Sequence, residues 1–61
     1  MNDLSHLASG YRLRAEKVLS LADTDSCQYT REALLRIAES YLQMAATADN
    51  IERSYHLSRL N

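Results

Sequence analysis

Two rows of residues spaced 3.5 positions apart on average constrain this chain more than any other feature. Leu4, Ala8, Tyr11, Ala15, Val18 and Ala22 are separated alternately by four and three positions. Leu34, Ala38, Tyr41, Ala45 and Ala48 repeat the pattern, and Cys27 and Tyr55 extend it by whole heptads. Such spacing brings every member of a row onto one face of a helix, the seam along which helices pack. The chain has no proline and one glycine, so little interrupts a helix. Ala, Leu, Glu, Arg and Gln favour helix, and few β-branched residues favour strands. The expected fold class is all-α.

The rows are separated by Asp23-Thr24-Asp25, three residues whose side chains compete for the backbone and favour turns. Asn2, Asp3 or Ser5 suits the start of the first helix. Asp25 with Gln28 three residues on resembles a capping box, which starts the second near Ser26. The sequence therefore predicts helix 1 over about residues 4–22, a turn at 23–25 and helix 2 over about 26–58. A connection this short makes the helices antiparallel neighbours in a single hairpin domain. Asp49-Asn50, with Glu52 completing a second capping box, is the one interruption offered in helix 2. A continuous helix is favoured over a break that folds the tail back as a third helix. Gly10 inside helix 1 costs about 1 kcal/mol relative to alanine. The favoured account makes Ser9 the true N-cap, ahead of close approach by a partner backbone.

The two rows match at an offset of 30: Leu4/Leu34, Ala8/Ala38, Tyr11/Tyr41 and Ala15/Ala45 are identical. Convergence on one packing code explains this more simply than duplication of a helix. The sequence Tyr11-Arg12-x-Arg14-Ala15-Glu16, an acidic break, then Leu34-Leu35-Arg36-Ile37-Ala38-Glu39-Ser40-Tyr41-x-x-Met44-Ala45 resembles a set of very short alphaproteobacterial proteins common in rhizobia. The resemblance covers roughly residues 8–50 and excludes the tail from Ile51. It implies a helical hairpin of bacterial, cytoplasmic origin. It brings no catalytic residue, cofactor or function.

At 61 residues the chain is below the size at which one core suffices without disulfides, metal or association. Its single cysteine, Cys27, has no intrachain partner. The apolar arcs point to association. At about 100° per residue, helix 1 holds its apolar set within about 160°, with Leu13 alone on the far side. Helix 2 spreads over roughly 220°, from Ile51 and Met44 to Leu35, Leu42 and Ala46. A stripe somewhat over about 100° satisfies one packed face. Helix 2 is also the longer, roughly 48 Å against 28 Å at 1.5 Å per residue, and its overhang carries Ile51, Tyr55, Leu57 and Leu60. The expected architecture is a hairpin with a long second helix, paired into a dimeric four-helix bundle. The expected interface is Leu35, Leu42, Met44, Ile51 and Tyr55. The expected seam is Leu4, Ala8, Tyr11, Ala15 and Val18 against Leu34, Ala38, Tyr41, Ala45 and Ala48. Leu34→Ala or Tyr41→Ala is expected to cost about 2–5 kcal/mol.

Chemistry is sparse. Glu52 and His56 are spaced i,i+4, and two such pairs across a dimer axis would supply four metal ligands. An exposed Glu–His pair is the simpler reading, and His6 reads as a solvated residue. Cys27 could be a thiolate lowered by the N-terminus of helix 2, or could bridge two chains, but a small buried hydrophobe whose thiol Asp23 and Asp25 would push up is the favoured reading. Arg12, Arg14 and Lys17 make a small basic group with Glu16 among it, better suited to a solvated face than to nucleic acid. No phosphate loop or nucleophile–base pair is present, and a hairpin this small is expected to lack a cleft of a few hundred Å³. Neither an enzyme nor a cofactor is expected. A formal charge of −1 provides no basic footprint for nucleic acid and no polybasic patch for membranes. No apolar run spans a bilayer. No signal peptide opens the chain, and a lone cysteine suits a reducing compartment, so a cytoplasmic location is expected. The leading expectation is an interaction or oligomerisation module that pairs with itself or a larger protein. A dimeric nucleic-acid-associated regulator using Arg12, Arg14, Lys17 and Arg31, and a membrane-surface amphipathic protein, are the alternatives.

Overall fold

A computed structural model describes the backbone of residues 4–59 and the side chains of residues 6–58. Two helices form, α1 over Leu4–Thr24 and α2 over Gln28–Arg59, and no strand occurs among the described residues. They pack against each other along their lengths. The rod they make measures 52 × 16 × 12 Å.

The expected turn at 23–25 lies two residues too early. Asp23 and Thr24 close the last turn of α1. The Thr24 hydroxyl donates back to the carbonyls of Ser20 and Leu21 at 3.3 and 3.2 Å, and the Asp25 N–H donates to Leu21 O at 3.1 Å. These bonds keep a hydroxyl residue inside the helix instead of ending it. The connection is residues 25–27. Asp25 does not form the capping box with Gln28. Its Oδ1 accepts the Cys27 N–H at 2.8 Å, and the Gln28 amide donates instead to Glu32 at 3.2 Å. Cys27 occupies the N-cap position, because its carbonyl accepts the first helical bond from the Arg31 N–H at 2.9 Å. Arg31 fastens the corner by donating from its guanidinium to Asp25 O at 3.0 Å.

Two other local expectations change. α1 is helical from Leu4, so Ser9 is not its cap, and Gly10 lies in the helix interior with no positive φ. α2 passes through Asp49-Asn50 without a break, so the tail does not fold back.

The interface between the helices is made of methyl groups. Ala8, Ala15, Ala22, Ala38, Ala45 and Ala48 are each at most 4% exposed. Ala8 sits against Ala45 and Ala48, and Tyr11 packs on that cluster. With the 25–27 connection at the other end, this pairing makes the helices antiparallel. Tyr11 stacks on Tyr41 at 6.2 Å between centroids and 27° between planes, filling the space beside the alanines. Val18, Leu34 and Tyr41 are only half-buried. Truncating Leu34 or Tyr41 therefore removes about half the burial of a true core residue, and the cost expected in the hairpin falls to about 1–2 kcal/mol. Of the expected seam, the Leu4 side chain lies outside the described residues, as does Leu60 of the expected overhang.

Candidate interaction surface

Among the described residues the core contains no fully buried side chain larger than alanine. Twelve large apolar or tyrosine side chains are instead at least 40% exposed. The five expected interface residues are all among them, Leu35 at 48%, Leu42 at 45%, Met44 at 44%, Ile51 at 54% and Tyr55 at 58%.

The structure does not bring those five together on one surface. Measured about the axis of α2 from Ala45, Leu35 and Leu42 lie roughly 60–80° to one side, and Met44, Ile51 and Tyr55 roughly 80–120° to the other. Helix α1 packs between, so the hairpin has two apolar flanks. On the first, Arg12 of α1 and Asp49 of α2 form an ion pair at 2.9 Å. On the second, Leu7 and Tyr11 of α1 with Met44, Thr47, Ala48 and Ile51 of α2 line an open groove of about 430 Å³. The expectation that so small a hairpin lacks such a volume is therefore corrected. Sequence reading missed the groove because it forms between helices, and the part played by Leu7 became visible only with the register.

The groove offers contact and little chemistry. Its lining, which also includes Ser40 and Gln43, carries no Asp, Glu, His, Cys, Lys or Arg. No group of three or more metal-ligating side chains occurs among the described residues. Glu52 and His56 do meet, at 3.6 Å between carboxylate oxygen and Nε2, as an exposed pair near the end of α2. His6 is exposed on α1.

Cys27 is exposed, contrary to the buried reading. Its thiol is held below the ordinary value. The largest cause is a hydrogen bond with the Thr30 side chain, followed by the backbone N–H groups of Thr30 and Tyr29; desolvation and the Asp25 carboxylate push weakly the other way. The expected upward shift from Asp25 is present but loses to the first-turn donors of α2, which stabilise the thiolate directly.

Three of the four basic residues of the nucleic-acid alternative are engaged within the hairpin, and Lys17 is exposed. Arg12 is paired with Asp49, Arg14 lies 5.8 Å over the Tyr11 ring, and Arg31 holds the corner. Among the described residues no helix is long and apolar enough to cross a membrane. No protein-family model, curated protein or solved structure significantly matches the chain.

Proposed function

We propose that this chain is a non-enzymatic interaction module, a helical hairpin that associates through its exposed apolar flanks, first of all with a second copy of itself in a dimeric four-helix bundle. One observation carries the reading: among the described residues the fully buried side chains are all alanine, while twelve large apolar or tyrosine side chains are at least 40% exposed. A methyl group removed from water contributes only about 0.8 kcal/mol, against roughly 1.5–3 kcal/mol for a buried leucine, isoleucine or methionine. The side chains able to stabilise the fold most are those a second layer of helices would bury. The internal partners of Arg12, Arg14 and Arg31 favour this reading over a nucleic-acid contact. The exposed thiol of Cys27 fits a reducing compartment such as the cytoplasm.

Light scattering across a micromolar concentration series tests the proposal. The expected mass is twice the 6.9 kDa of the chain. A folded, helical chain that keeps its single-chain mass throughout the series overturns it.

A further inference from the structure

The two flanks of α2 differ in charge, and that difference selects one of them. Within an arc of about 100° centred on the groove side, α2 carries no charged residue. The stripe includes Ala33, Ile37, Ser40, Met44, Ile51 and Ser58. The matching arc on the other side contains Leu35 and Leu42 but also Glu32, Glu39 and Arg53. Burial favours the uncharged stripe, since an unpaired charge is costly to desolvate.

The middle of the stripe is symmetric about Met44, and beyond it Ala33 and Tyr55 lie eleven residues either side. Ile37 and Ile51 lie seven residues either side of Met44, and the small Ser40 and Ala48 lie four either side. The midpoint of Gln28–Arg59 falls between Gln43 and Met44. In an antiparallel pair about Met44 this sets Ile37 against Ile51 and Ser40 against Ala48, each contact occurring twice about the twofold axis.

Helix lengths supply the third argument. Ala8 lies level with Ala45 and Ala48, so α2 runs past the start of α1 from about residue 52, roughly 12 Å at 1.5 Å per residue. Resting on the self-association just proposed, we infer that two copies meet antiparallel along this stripe, about a twofold axis at Met44. That register sets residues 52–59 of each copy across residues 29–36 of the other, at the closed end of its hairpin. A parallel pair would instead leave both projecting ends side by side.

The contact must include α1. A stripe about 45 Å long and 10 Å wide gives about 900 Å² over both partners, just short of the roughly 1,000 Å² of a specific interface. Leu7, on the wall of the groove, supplies the remainder. The same register keeps Glu52 and His56 of the two copies about 24–36 Å apart, so they do not combine into one metal site.

Disulfide trapping in a Cys27→Ser background tests the register. Met44→Cys should form a linked dimer under mild oxidation. Ile37→Cys and Ile51→Cys should link to each other when mixed and not to themselves, and Leu35→Cys should remain unlinked. Circular dichroism confirms that each variant is helical. A double-mass chain in which neither Met44→Cys nor the mixed pair links would overturn the register and leave self-association standing. Self-linking of Ile37→Cys would show a parallel pair and also overturn it. A single-chain mass at every concentration removes both inferences.

Discussion

Alanine decides how closely the two helices approach. Ala15 is 0% exposed at the middle of α1, where nothing larger than a methyl group fits. Ala15→Leu should force the helices apart and cost about 1–3 kcal/mol, read as a lowered urea midpoint. An unchanged midpoint would mean that the seam tolerates separation. Cys27 makes a different statement at the same scale. Its folded pKa is depressed, so the ionised thiol stabilises the start of α2. That contribution is fully present above the ordinary thiol pKa, about 8.5, and is lost as pH falls through the lower folded value. Alkylation rates should show a thiol pKa below the ordinary value in the native chain and a return to it in concentrated urea. Equal values in both states would rule out stabilisation of the thiolate by the first turn of α2. The heptad row already contained Cys27. Its place at the start of helix 2 was legible, but that the Thr30 and Tyr29 donors outweigh Asp25 was not, because this depends on which residue caps α2.

At the scale of the helices, the ion pair between Arg12 and Asp49 fixes position more than it stabilises. Both side chains are more than one third exposed, at 46% and 38%, and water screens such a pair to about 1 kcal/mol or less. A double-mutant cycle on Arg12→Ala and Asp49→Ala should give a coupling below about 1 kcal/mol. A larger coupling would mean that the pair is shielded from water, as in an interface. Asp49, read from sequence as a second N-cap, has its carboxylate turned to Arg12 instead.

The whole molecule is a rod with a methyl seam and two apolar sides. If association completes the fold, its stability is tied to concentration by mass action. The urea midpoint should rise as the chain is concentrated from low to high micromolar. A midpoint independent of concentration would describe a monomer that is complete alone. Substituting Ile37→Ser on the uncharged stripe should lower the dimer fraction at fixed concentration more than Leu35→Ser on the charged flank. The reverse order would move the interface to the other side.

Helical class, the alanine and tyrosine rows and the excess of apolar surface on α2 are all written in the residue order. Helical periodicity is a local property, and 3.6 residues per turn assigns each side chain to an angle without knowledge of its neighbours. Which parts of the two rows meet is settled by the packing of one helix on the other. Both helices carry Leu-x-x-x-Ala-x-x-Tyr-x-x-x-Ala, so sliding one past the other by a heptad still sets small and large residues against each other. The connection at 25–27 selects one register. From it follow the Tyr11–Tyr41 stack, the Arg12–Asp49 pair, the half-burial of Leu34 and the groove beside Met44.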